Sequence, residues 1–140
     1  MISVIGTTGK YTLQTSAVEM HRESLTWLSA AELWKHEINF FQKLLDQHAP
    51  KESAIEFKKQ VDHYQHLITF YGGELVPDLI KIVRGHEHKL AEMLHNLDET
   101  EVSYFKEHDV IMTKLSSFEK VYTEFKHGFF QFVEKGFSAY

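Results

Sequence analysis

Apolar residues recur along most of the chain at alternating steps of three and four, which is the period of an amphipathic helix. The clearest stretch covers residues 27–45, and another runs without interruption through the last third of the chain. Each stretch predicts a helix that buries one face in a helical bundle. The two sets of apolar-face positions are Trp27, Ala31, Trp34, Ile38, Phe41 and Leu45, and Tyr104, His108, Ile111, Leu115, Phe118, Tyr122, Phe125, Phe129 and Phe132.

Start and stop signals divide this pattern into four predicted helices. Three pairs have capping-box spacing, in which two side chains satisfy free amides of a first helical turn. Pro50 and the pair Gly72–Gly73 are the expected stops. The predicted helices run from Ser16 to about His48, from Ser53 to Gly72, from about Leu75 to Leu97, and from Asp98 to about Lys135.

The short connections make consecutive helices antiparallel neighbours. We therefore expect an all-α, antiparallel up-down-up-down four-helix bundle in which the first and last helices are longer than the middle two. Residues 1–15 are expected to form an N-terminal arm and residues 16–140 a single bundle domain, because 140 residues fit one domain.

Composition narrows the function classes. The net charge of −5 argues against nucleic-acid binding, which requires a basic face. No apolar run is long enough to span a membrane and no signal peptide is recognisable, so the expected location is the cytoplasm. The chain has no cysteine, which excludes disulfides and thiolate chemistry. No catalytic arrangement stands out, so the chain is expected to be non-catalytic.

A polar layer is predicted inside the bundle. When each hairpin is folded at its expected turn, Glu37, His63, His86 and His108 fall at one level, with one residue from each helix. Buried polar side chains must pair. Three readings stay open: a structural hydrogen-bond network, a site for a metal such as iron or zinc, and a histidine-based pH sensor.

The four-helix plan and the inward His and Glu side chains resemble hemerythrin-like and ferritin-like bundles. That resemblance implies a metal-binding bundle that handles oxygen or a redox signal. The spacing motifs of those families do not carry over: Glu92 and His95 have Glu-x-x-His spacing, and His88 and Glu92 have His-x-x-x-Glu spacing, but both pairs are expected to face outward.

Aromatic residues concentrate at the end of the fourth predicted helix, which should extend past the turn between the second and third. Uncovered aromatic surface of this size usually marks an interface. We therefore expect a homodimer or a protein partner at this end, unless residues 1–14 fold over it. The expected function is a self-associating protein-interaction module. The interface residues are Phe125, Phe129, Phe130, Phe132 and Phe137.

Overall fold

The computed structural model describes residues 9–48, 54–96 and 101–137, and these residues are almost entirely helical. Helix α1 spans Gly9–His48, α2 spans Ile55–Phe70, α3 spans Val76–Asn96 and α4 spans Glu101–Phe137. A π-helical turn, Tyr71–Leu75, joins α2 directly to α3. The described residues therefore form three long helical segments, and the predicted count of four separate helices is not confirmed.

The predicted stop at Gly72–Gly73 is wrong, because the helix continues through both glycines. The amide of Val76 donates to the carbonyl of Tyr71, five residues back, which is the bond of a π-turn. Pro77 follows immediately. A proline inside a helix lacks an amide hydrogen and crowds the carbonyl four residues back, here that of Gly73. A wider turn at this point relieves the crowding without ending the helix.

Gly72 also has a packing role that a turn residue would not have. A Cβ atom built on Gly72 would lie 2.7 Å from Cγ2 of Ile38, whereas one built on Gly73 would meet nothing within 4 Å. The missing side chain at Gly72 thus lets the joined helix approach α1 closely.

Side-chain contacts give the directions of the helices. Gln42 of α1 bonds Gln65 of α2, and His21 of α1 contacts Glu87 of α3, so residue numbers rise along one helix and fall along the other. The joined α2–α3 helix pairs with α4 in the same opposed sense. Contacts between α1 and α4 run in parallel order.

The aromatic end is buried within the chain, which differs from the predicted interface. Because α2 continues alongside α4, Phe125, Phe129 and Phe132 are at most 7% exposed and pack against α1 and α2. The ring of Phe129 packs against that of Phe41, with 4.9 Å between the ring centroids and a tilt of 46°. Phe130 is 48% exposed, and the side chain of Phe137 lies outside the described residues.

Helix α1 begins at Gly9, seven residues before the predicted start at Ser16. The sequence between these positions contains neither proline nor a further glycine, so nothing in it stops a helix. The rest of the predicted arm, residues 1–8, lies outside the described residues. None of the helices in the described ranges is long and apolar enough to cross a membrane.

Candidate functional site: a buried histidine pair

Three buried polar side chains form a layer across the helices. Ser24 of α1, His86 of α3 and His108 of α4 are each at most 2% exposed. The layer separates two apolar cores. The main core fills the half that contains the aromatic end. A smaller core, which we call the distal core, lies on the other side of the layer and consists of Ala17, Met20, Leu90, Met93 and Tyr104.

The two imidazole rings are linked end to end with carboxylates on either side. Nε2 of His86 lies 2.9 Å from Nδ1 of His108. The other nitrogen of His86, Nδ1, lies 2.6 Å from Oε1 of Glu107, whose second oxygen accepts a bond from Lys89 at 2.6 Å. At the far end, Nε2 of His108 lies 2.7 Å from Oε1 of Glu23. We call this row of contacts the histidine chain.

Aromatic rings hold both imidazoles in place. The ring of Tyr104 stacks on His86 at 4.0 Å with an interplanar angle of 1°. The ring of Trp27 lies 4.5 Å from that of His108.

Counting hydrogens fixes the charge of the histidine chain. Its three contacts among His86, His108, Glu23 and Glu107 each join two atoms that carry lone pairs, so each needs one hydrogen. Two neutral imidazoles supply two hydrogens. The third must be an additional proton, carried by an imidazole or by the Glu23 carboxyl. For all three contacts to be hydrogen bonds, the arrangement must therefore hold one proton more than two neutral histidines and two carboxylates would.

Burial and neighbouring charges shift the pKa values of His86 and Glu107. Burial lowers the pKa of His86, the hydrogen bond to Glu107 opposes this, and the charge of His108 lowers it further. Burial acts to raise the pKa of Glu107, but the hydrogen bonds from Lys89 and His86 outweigh it and the pKa lies below its usual value. These shifts favour an ionised Glu107 and a neutral His86.

Other titratable groups surround the histidine chain. Glu87 of α3 contributes negative charge near His86 and contacts Nδ1 of His21 on α1 at 2.5 Å. Burial raises the pKa of Tyr104, and the charges of Glu87 and Glu107 raise it further. The hydroxyl groups of Ser24 and Tyr104 are buried without a hydrogen-bond partner among the described residues.

The structure brings together two of the four residues predicted to share a polar layer. His86 and His108 meet, because the hairpin between α3 and α4 has nearly the expected register. Glu37 lies elsewhere, where it accepts a hydrogen bond from the hydroxyl of Tyr122 at 2.8 Å and contacts Nζ of Lys126 at 3.2 Å. It is a structural partner of α4 at that level.

His63 does not join the layer either. It is exposed on α2, beside a shallow surface groove lined by Lys59, Tyr64, Gly128 and others. The prediction placed it near His86 by assuming a turn at Gly72–Gly73, and the continuous helix carries it away instead.

The predicted metal site of Glu37, His63, His86 and His108 is therefore not assembled. Across the described ranges, no group of three or more His, Asp or Glu side chains is arranged to hold a metal ion. In the histidine chain itself, the ring nitrogens point at one another and at carboxylates in a row. They do not converge on a common point, which a metal ion would require.

Glu23 and Glu107 were missed by the sequence reasoning. Both lie beside the apolar stripe of their helix and are partly exposed, with side-chain exposures of 42% and 33%. A usable signal was their position: Glu107 directly precedes His108, and Glu23 precedes buried Ser24.

Comparison with known proteins gives no relative. No protein-family model matches the chain, and neither curated proteins nor solved structures contain a match.

Proposed function

We propose that this protein is a non-catalytic helical module that responds to pH through the histidine chain. The observation that supports it is the row of three contacts: the buried 2.9 Å His86–His108 contact has a partly buried carboxylate contact on either side, and three hydrogen bonds there require one additional proton. An unfolded chain has no such requirement, so folding is coupled to proton binding.

Acidification works against the His86–His108 contact. A further proton on the pair would place hydrogens on both facing nitrogens and a second positive charge inside the bundle. The lowered pKa of His86 likewise opposes the binding of a further proton. In the unfolded chain a histidine binds a proton with a pKa of about 6.5, whereas buried His86 resists that proton. The free energy of unfolding therefore falls as the pH drops below about 6.5.

Alkaline conditions work against the histidine chain as well. When the third proton is lost, one of its three contacts is left with two facing lone pairs and no hydrogen between them. The unfolded state releases its last histidine protons without such a penalty. Stability contributed by the histidine chain should therefore be greatest near the ordinary pKa of histidine, about 6.5, and decline on both sides.

The position of the layer directs this response to one end of the molecule. The distal core is small, and it is tied to the rest of the bundle across the histidine chain. The main core contains about four times as many buried side chains and no buried histidine among the described residues. Protonation should thus open the distal end of α1, α3 and α4 while the aromatic half stays folded.

Hydrogen exchange measured by mass spectrometry tests the proposal. When the pH is lowered from about 6.5 to 5, the exchange rate of amides around Met20, Met93 and Tyr104, corrected for its intrinsic pH dependence, should rise about eightfold. This factor follows from the proton linkage of two histidines. Peptides around Phe41 and Phe129 should not change.

Two variants serve as controls. His66→Gln removes an exposed histidine and should leave the response intact. His86→Leu/His108→Leu removes both imidazoles of the histidine chain and should abolish the pH-dependent difference between the two halves. An equal response in both halves of the wild type, or an unchanged response in the double variant, would contradict the proposal.

A second function is favoured by the surface: a self-associating protein-interaction module. Large apolar side chains remain at least 49% exposed along α1, among them Leu33 and Phe40. Such side chains are the usual anchors of helix-mediated contacts when they align on one face. The homodimer expected from the sequence is retained as a proposal on this ground, but at a different surface from the buried aromatic end.

A further inference from the structure

Helix α1 carries a second apolar stripe on the side opposite its core face. Val18, Leu25, Leu33 and Phe40 are 53%, 49%, 57% and 56% exposed. Their steps of seven, eight and seven residues keep them within an arc of about 80° around the helix and spread them over about 33 Å. We call this set the outer stripe. No described segment of the chain covers it.

The outer stripe is symmetric about its own midpoint, Ser29. Val18 and Phe40 are each eleven residues from it, and Leu25 and Leu33 are each four. A two-fold interface requires that residue i contacts residue j of the second copy while j contacts i. An antiparallel pair of α1 helices crossing at Ser29 meets this condition, with Val18 against Phe40 and Leu25 against Leu33.

We propose that the outer stripe binds the same stripe of a second copy, so that the protein forms a two-fold antiparallel dimer through α1. Ser29 is small and exposed, which lets the helices approach at the crossing point. The small–large pairing of Val18 with Phe40 keeps the spacing between the helices even along the contact. The interface uses one helix face per copy and is thus small, which predicts a dissociation constant in the micromolar range.

The same symmetry relates two polar residues that lie within the arc of the stripe, between its apolar side chains. Arg22 and His36 are each seven residues from Ser29 and both are exposed. In the dimer, each Arg22 lies level with His36 of the second copy. A carboxylate in place of His36 would therefore form two ion pairs, one with each Arg22.

This inference rests on the second proposed function and is independent of the histidine chain. The outer stripe faces away from the layer that contains His86 and His108. Substitutions in the stripe should leave the pH response of the distal core unchanged, so failure of one proposal is distinguishable from failure of the other.

Sedimentation velocity over a range of about 1–200 µM tests the dimer. The wild type should shift from monomer to dimer in this range. Leu33→Glu should weaken the dimer at least about tenfold, because the two-fold axis makes each substitution act twice. Val110→Glu, at a similarly exposed apolar position on α4, should not. Circular dichroism checks that both variants keep their helix content.

Disulfide trapping tests the register. The chain has no cysteine, so Ser29→Cys introduces a single one. At a helix crossing through residue 29, the two thiols lie within disulfide reach, and mild oxidation should give a covalent dimer. Ser116→Cys, exposed on α4, is the matched control and should stay monomeric.

His36→Glu provides a gain-of-affinity test, since it places two carboxylates level with the two Arg22 side chains. Two exposed ion pairs should tighten the dimer by about two- to thirtyfold, and adding Arg22→Glu should reverse the gain. A wild type that stays monomeric at 200 µM overturns the proposal. So does dimerisation that is insensitive to Leu33→Glu, or trapping of Ser29→Cys no faster than Ser116→Cys.

Discussion

Replacing each of the two adjacent glycines by alanine should change stability in opposite directions. In a continuous helix, alanine is favoured over glycine by about 1 kcal/mol. Gly73 has nothing within 4 Å of its would-be Cβ, so Gly73→Ala should raise the free energy of unfolding by up to that amount. Gly72→Ala has the same backbone gain, but its Cβ would lie 2.7 Å from Cγ2 of Ile38.

The difference between the two variants isolates the packing effect. Ile38 is 3% exposed and branched at Cβ, so its side chain is stiff and its Cγ2 cannot swing aside. Overpacking a core by one methyl group costs about 1–3 kcal/mol. Because the backbone gain is common to both variants, we expect Gly72→Ala to be less stable than Gly73→Ala by about 1–3 kcal/mol.

Urea unfolding followed by circular dichroism measures this difference. A double-mutant cycle with Ile38→Leu, which removes Cγ2 while conserving volume, should relieve the cost at position 72 and have no effect on that at position 73. If Gly73→Ala were destabilising, or if the two variants were equally stable, the helix would not continue through this site as described.

Two further pairs of variants test the interior. Tyr104→Phe should raise the free energy of unfolding by up to about 1 kcal/mol, because the Tyr104 hydroxyl is buried without a described partner. Tyr122→Phe should lower it by about 1.5–3 kcal/mol, because it removes a hydrogen bond to the Glu37 carboxylate. Denaturant unfolding measures both changes. Phe129→Ala should lower the free energy of unfolding by about 3–5 kcal/mol, and Phe130→Ala by less than about 1 kcal/mol, since the first is fully buried and the second half exposed. Similar losses in calorimetric melting for both phenylalanines would contradict the placement of α4.

The apolar periodicity predicted the buried faces well where helices are long. All nine predicted apolar-face positions of α4, including His108, are buried, as are most of those in the first set, on α1. These faces follow directly from a repeat that places one side of a helix away from water, and that repeat is visible in the sequence.

Connections and registers were harder to predict, because they depend on tertiary packing. Gly72–Gly73 looks like a helix stop when only local propensity is considered, yet close packing against Ile38 and a π-turn before Pro77 keep the helix intact. The error moved His63 into the predicted layer. The His86–His108 contact was found because it depends only on the short α3–α4 connection.

The pH dependence of the unfolding free energy tests the central claim, that the histidine chain stores one additional proton. The measurement compares the wild type with His86→Leu/His108→Leu by denaturant unfolding at pH values from about 4.5 to 8.5, so that subtraction removes the contribution of all other groups. We expect a bell-shaped difference with its maximum near pH 6.5. The difference should fall by about 0.7 kcal/mol one pH unit to either side and about 1.9 kcal/mol at two units. A difference that is flat, or that rises steadily with pH as for two neutral buried histidines, would contradict it.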